Sequence, residues 1–368
     1  MATIHTAHGA TIYHGPRGGM MAVRERGGVR TVAWGRHGGY VDRAYPGRWH
    51  GHEYRVRTYW YGGHAYAFAY RGYYWGGHPY FWYAPGFFWR PAFYGWVWNP
   101  WAVPVVYAWG WVHAPWFGFY GGYFAPYPAY AAANLWLTDY ILAENLRLAY
   151  EAQQGAAAQA AAASAGPPPP QQTQLSPEVK ALIAQEVKEQ LAAERAAAAA
   201  QANGAPPPQE GANMPPPALD PAHRVFIVDS NLDITTADGG ECGVTPGDII
   251  LRTGDTVVDG AKVEVSVQSS KAGDCSIGSN GRVEVADLQE MQNNFRQQMD
   301  TGLKQMADNQ GKNGLPAAPD TSTVASNDAP PVQPDKDVQA QVQGLQSEAD
   351  QAEKDVNQQS GVGGGGTK

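Results

Sequence analysis

Residues 54–84 read YRVRTYWYGGHAYAFAYRGYYWGGHPYFWYA, a run of rings divided by Gly62-Gly63 and Gly76-Gly77. Tyr66, Phe68 and Tyr70 alternate with alanine. Such alternation sends successive side chains to opposite faces of a strand, and paired glycines supply the positive φ that tight hairpin turns require. Tyr54–Tyr61, His64–Tyr70, Tyr73–Trp75 and Tyr80–Tyr83 are therefore expected to be strands. Val29–Trp34, followed by Gly35 and Gly38-Gly39, extends the pattern upstream. Residues 29–83 are expected to form a twisted antiparallel meander, with an imperfect 14-residue repeat at Tyr59–Tyr66 and Tyr73–Tyr80. Residues 1–28, polar and rich in Gly and His, read as an irregular N-terminal segment.

The aromatic density continues past the meander. Residues 34–130 hold 12 of the 13 Trp, 17 of the 20 Tyr and 8 of the 10 Phe. This implies either a ring-on-ring core or a surface that a flat apolar partner docks against. In 84–130 Pro and Gly recur too often for regular strands, so a wrapping loop is expected. Residues 91–138 carry no Asp, Glu, Lys or Arg. Even so, prolines interrupt the run, and a spanning helix needs about 20 apolar residues, so no transmembrane span is expected.

Downstream, a helix begins near Asn134, a suitable cap, with Leu135, Leu142, Leu146 and Ala149 on one face and Leu137, Ile141 and Leu148 on another. It completes an aromatic unit over 29–154. Residues 155–175 form an Ala/Pro linker. Ser176-Pro177-Glu178 opens a helix over 176–202, with the stripe Val179, Leu182, Ile183, Val187 and Leu191. A Pro-rich linker spans 203–222. Residues 223–314 read as a small β domain with a C-terminal helix. Its expected strands are Arg224–Val228, Leu232–Thr236, Asp248–Thr253, Lys262–Ser269 and Arg282–Ala286, in an SH3-like barrel or a sandwich. Asp287 is the expected cap of its helix, with Glu290 as box partner and the stripe Leu288, Met291, Phe295, Met299, Leu303 and Met306. Residues 315–368 read as a disordered acidic tail. Within it Val338, Val342, Leu345, Ala349, Ala352 and Val356 keep the 4-3 spacing of a short coiled coil. The fold class is mainly β plus α, in several segments.

Net charge is −8 and unevenly spread: residues 1–130 carry 11 Arg, no Lys and three acids, while all nine Lys lie later. Planar guanidinium suits stacking on rings. Cys242 and Cys275, the only cysteines, fit one disulfide in an oxidising compartment or two thiols in a reducing one. Met1–Arg30 lacks the apolar core of a secretory signal, so either the chain stays inside or the true start lies upstream. His50, His52 and Glu53, and His5, His8 and His14, match no closed zinc site, and no metal or cofactor is expected. No nucleophilic triad or phosphate loop is recognisable, so the chain reads as a non-enzyme. Diluted positive charge and the lack of an RNP-type motif argue against nucleic acid. Trp75, Trp82, Trp98, Trp101, Trp109, Trp111 and Trp116 are the candidate contact residues. In a contiguous exposed row they would stack on glycan, whereas buried they would be scaffold.

The strings FYGWVWNPW (93–101), YAWGWVHAPWFGFYGGYFAPYP (107–128) and LWLTDYILAENLRLAYEAQ (135–153) resemble those of a family of exported bacterial proteins of the Acidobacteria type. LSPEVKALIAQEVKEQLA (175–192), GDIILR (247–252), DLQEMQNNFRQQMDTGL (287–303) and QGKNGLPAAP (310–319) fit the same family. The resemblance implies an exported protein with this domain order, no assigned activity and no catalytic residues to carry over. The expected setting is periplasm, cell surface or extracellular space, and the expected partner an envelope protein or, alternatively, glycan or peptidoglycan.

Overall fold

The computed structural model describes residues 2–14, 20–34, 38–160, 173–203, 214–271 and 274–362. The Pro167–Pro170 spacer, residues 204–213 of the Pro-rich linker and the Gly-rich end all fall outside these.

Eight strands pair antiparallel in chain order: β1 (Ala2–His5), β2 (Ala10–His14), β3 (Met20–Arg26), β4 (Val29–Trp34), β5 (Gly38–Ala44), β6 (Tyr54–Tyr61), β7 (His64–Trp75) and β8 (His78–Ala84). This is the expected meander, but larger. The described residues of 1–28 hold the strands β1–β3 rather than irregular chain, because Ala10, Ile12 and Ala22 point into a fully buried layer. His64–Trp75 is one strand, uninterrupted at Gly72. Gly62-Gly63 and Gly76-Gly77 have φ of +57° and +81°, and of +59° and +85°. Positive φ at both turn residues is the geometry that two-residue hairpins favour.

The sheet has two chemically different faces. On β6 and β7 the residues Arg57, Tyr59, Tyr66, Phe68 and Tyr70 share one face, while Thr58, Trp60, Ala65, Ala67 and Ala69 share the other. The small-residue face packs under α6 (Val338–Val362) through Val338, Val342, Leu345 and Ala349. The tail is therefore not disordered over this stretch. Its 4-3 stripe packs on a sheet rather than on a second helix, so the expected coiled coil is corrected. Gly39 lets the two approach: a Cβ there would lie 2.5 Å from Val342.

The aromatic face meets α5 (Val285–Asn309) and α3 (Ala133–Ala160). Asn293 of α5 caps the sheet's edge: its Nδ2 donates to the Phe81 carbonyl at 2.8 Å, and its Oδ1 accepts from the Tyr83 amide at 2.8 Å. An edge strand so covered cannot recruit another chain.

The 84–130 segment is more regular than a wrapping loop. It holds β9 (Phe87–Trp89), α1 (Pro91–Trp98) and α2 (Pro115–Tyr120). Each helix opens on a proline, where the missing N–H costs nothing. β9 pairs with β16 (Thr323–Ala325), a second ordered piece of the tail. The rings here pack on α3. Trp136 is fully buried between Trp109 at 4.8 Å, Tyr140 at 5.5 Å and Tyr107 at 5.4 Å. α4 (Pro177–Ala202) begins as expected, with Ser176 Oγ accepting from the Val179 amide at 3.2 Å. Asn134, by contrast, lies inside α3, where its Nδ2 donates to the Ala184 carbonyl.

The small β domain is an open six-stranded antiparallel sheet, not a closed barrel. Its order is β10 (Val225–Ile227), β13 (Ile249–Arg252), β14 (Lys262–Ser269), β15 (Asn280–Glu284), β11 (Leu232–Thr236), β12 (Glu241–Val244). β12 is unforeseen, and it carries Cys242 to Cys275, with the Cα atoms 5.0 Å apart in a disulfide. Helix α5 starts at Val285 with Glu284 as cap, three residues before the expected cap Asp287. Glu290 does not complete a capping box, because Arg57 of the meander takes its carboxylate. No described helix is long and apolar enough to cross a membrane.

Candidate functional site

The seven candidate tryptophans are not brought into an exposed row. Trp101, Trp109 and Trp116 are buried, and Trp75, Trp82, Trp98 and Trp111 are half-buried. Trp109, Trp111 and Trp116 form a continuous ring stack with centroids 5.0–5.1 Å apart. Trp101 sits 5.6 Å from Trp96, Trp82 packs on Tyr73, and Trp75 on Tyr80. The aromatics that do face solvent on the meander are Tyr66 and Tyr74, both on β7.

Two clefts collect charge where the modules meet. The first, of about 230 Å³, lies between the aromatic face of the meander, α5 and the β10–β11 turn. Arg57 is stacked between Tyr40 at 4.4 Å and Tyr70 at 4.5 Å, and it bonds Glu290 at 2.8 Å and Asp42 at 3.4 Å. Burial alone would raise the Glu290 pKa, but Arg57 overrides it and holds the carboxylate below its usual range. Asp229 and Asp287 lack such a partner. Burial, reinforced by the charge of Glu290 or Glu284, pushes them to about 7 and about 6. Both terminal nitrogens of the arginine are engaged by Glu290 and Asp42, which makes the cleft an internal electrostatic joint.

The second cleft, of about 220 Å³, is bounded by β7, β8, α4, α5 and the turn before β10. At its inner end Glu194 is 3% exposed, and neither of its oxygens makes a well-formed hydrogen bond. Burial, then the charge of Asp300, raises its pKa far above the carboxylate range, with Arg296 and Gln190 opposing. Asp300 accepts from Tyr83 Oη at 2.5 Å, and burial pushes it to about 6. Retaining a proton on such a buried pair avoids placing two bare charges in a low dielectric.

At the outer end His223 Nδ1 lies 2.5 Å from Glu186 Oε1. Burial would lower the His223 pKa; the hydrogen bond and charge of Glu186, with Asp220 and Glu189, raise it instead. Glu186, Glu189 and His223 place one ligand atom each within 4.8 Å of one another, the one such grouping among the described residues. Sequence reading missed all three. The available signal was Glu-x-x-Glu on the buried side of α4 and a single histidine far from the other nine. Of the N-terminal histidines, His52 is 2.9 Å from Arg71, and His5 pairs with Thr11.

Ser230 lines the first cleft, where its hydroxyl donates to Asp229 at 3.3 Å, and both cysteines are held in the disulfide. No family model, curated protein or solved structure matches this chain.

Proposed function

We propose that the protein is a non-enzymatic structural or interaction protein of the cell envelope or extracellular space. The observation that carries this reading is the direction of the rings. They are spent on packing, which stiffens a Pro-rich segment whose regular elements β9, α1 and α2 are short, and the arginine of the first cleft is engaged by internal carboxylates. The disulfide supports an oxidising compartment, and the resemblance to exported bacterial proteins agrees with it.

The contact surface of this reading is the loop between α1 and α2. Its Val103 and Val106 are 69% and 73% exposed, and Val112 is exposed beside them in sequence. Trp101 and Trp109, buried in the same loop, hold it rigid from beneath. Rigid apolar side chains lose little entropy on docking, which suits a protein partner in the envelope. The test is co-sedimentation of the purified chain with envelope fractions. Val103→Asp/Val106→Asp should abolish retention and leave the melting temperature unchanged. Full retention by that variant, or turnover of any compound by the wild type, refutes the reading.

Glycan is the second reading, favoured by the exposure of Tyr66 and Tyr74 along one strand. Quenching of tryptophan emission by peptidoglycan or exopolysaccharide would support it; unchanged emission across a glycan panel removes it.

A further inference from the structure

We propose that Glu186, Glu189 and His223 form a site for one divalent transition ion of the zinc class, clamping α4 to the entry of the small β domain. The geometry is the first support. The two glutamates are one helical turn apart on α4, and His223 comes from the turn between Asp220 and β10, so two separate segments converge on one point. Their ligand atoms lie within 4.8 Å of one another. An ion held at about 2.0–2.2 Å needs ligands roughly 3–3.5 Å apart, a closure that side-chain torsions supply.

The donor set is the second. One imidazole with two carboxylates suits zinc, cobalt or nickel, whereas magnesium and calcium take oxygen alone. Three protein ligands leave a coordination position for water, and the cleft beside His223 gives access to it.

The third support is preorganisation. The Arg252 side chain is fully buried, and its Nη2 donates to the Asp220 carbonyl at 2.7 Å and the His223 carbonyl at 3.4 Å. The backbone presenting the imidazole is therefore pinned from behind, as the outer shell of a metal site commonly is. Charge is the fourth. Asp220 adds to the two glutamates around His223. A proton on His223 offsets only part of this negative charge, and a dication offsets more.

The plain alternative is a His223–Glu186 ion pair with Glu189 a bystander. Isothermal titration of the full chain, stripped with chelator, with ZnCl2 separates the two, and the electronic spectrum of the Co2+ form reports ligand geometry. The proposal expects one equivalent bound at micromolar affinity or tighter and a tetrahedral-type Co2+ spectrum. His223→Ala should weaken binding at least about tenfold. Glu189→Gln, at a half-exposed position outside the ion pair, should weaken it several-fold with unchanged circular dichroism. Glu264→Gln, distant on β14, should bind as wild type. Absence of saturable uptake overturns the site. So does uptake that Glu189→Gln leaves unchanged, whether or not His223→Ala folds.

Discussion

Replacing Lys180 by methionine should cost more than removing any surface charge of this chain. Lys180 of α4 reaches Asp139 of α3 with its Nζ 2.6 Å from Oδ1. Asp139 has no solvent exposure; its Oδ2 accepts from the Tyr127 amide at 2.6 Å and Tyr130 Oη at 2.7 Å. Lys180 also donates to the Ala125 carbonyl at 2.7 Å and sits 3.7 Å over the Tyr127 ring. Burial raises the Asp139 pKa and lowers that of Lys180, in each case against the pull of the partner. The pair therefore gives little net stability over an apolar pair of equal volume, while either charge alone would be stranded. Lys180→Met keeps the stem and removes the charge. Breaking a buried pair costs about 3–5 kcal/mol; the two donors left on Asp139 place this case near 3. The melting temperature should fall by about 6–9 °C, given roughly 2–3 °C per kcal/mol in a protein of this size. Lys180→Met/Asp139→Asn should recover more than half of the loss. In the single variant the deficit should shrink as pH falls, because Asp139 can take up a proton. Urea denaturation followed by tryptophan emission measures all of these. A single-variant loss of only about 1 kcal/mol, typical of exposed pairs, or a double variant no better than the single, would refute the reasoning.

Trp136→Ala should cost about 3–5 kcal/mol by opening a cavity among Trp109, Tyr107 and Tyr140. Trp136→Phe should cost far less, since the indole N–H makes no hydrogen bond; equal losses would contradict this. Cys242→Ser/Cys275→Ser opens a loop of 33 residues and should lower stability by about 3–4 kcal/mol on the chain-entropy view, read by the same urea titration. Ending the chain at Pro334 removes α6 and should expose Ile12, Ala22 and Val41, giving dye binding and association at modest concentration. Unchanged light scattering would show that α6 does not cover that face. Stability should also fall as pH rises from 4 to 7. Glu144 and Asp229 at about 7 and Asp287 and Asp300 at about 6, all raised chiefly by burial, hold protons that the unfolded chain has released. His223, raised above 6.5, acts in the same direction: its contribution is complete below 6.5 and is lost as pH climbs through its folded value. Glu290, held low, opposes. A higher melting temperature at pH 8 than at pH 5 would refute this sign.

The hairpins at Gly62-Gly63 and Gly76-Gly77 were legible because a turn with two positive φ angles leaves a local residue signature. So was the start of α4, where Ser176 and Pro177 each serve one backbone requirement. β1–β3 were not legible: their alternation uses Ala, Ile and Val among Gly and His, and what makes it meaningful is a helix more than 300 residues away. The 4-3 stripe of α6 announced an apolar face but not what covers it. Pro91 and Pro115 read as breakers although each occupies the first turn of a helix. The exposure of each indole depends on which chain passes over it, and no periodicity encodes that. The convergence of Glu186, Glu189 and His223 is equally non-local, and it arises only when the turn before β10 folds back on α4.

The docking of α6 on the meander has a consequence for how the molecule is made. Thr6 on the β1–β2 turn and Arg24 on β3 bond to Glu348, more than 300 residues later in the chain. Until α6 emerges, the alanine-lined underside of the sheet lacks the helix that covers it. Contacts of such long sequence separation form slowly and expose the nascent protein to self-association. The late strap, not the ring cluster, is thus the contact that closes the sheet's apolar underside.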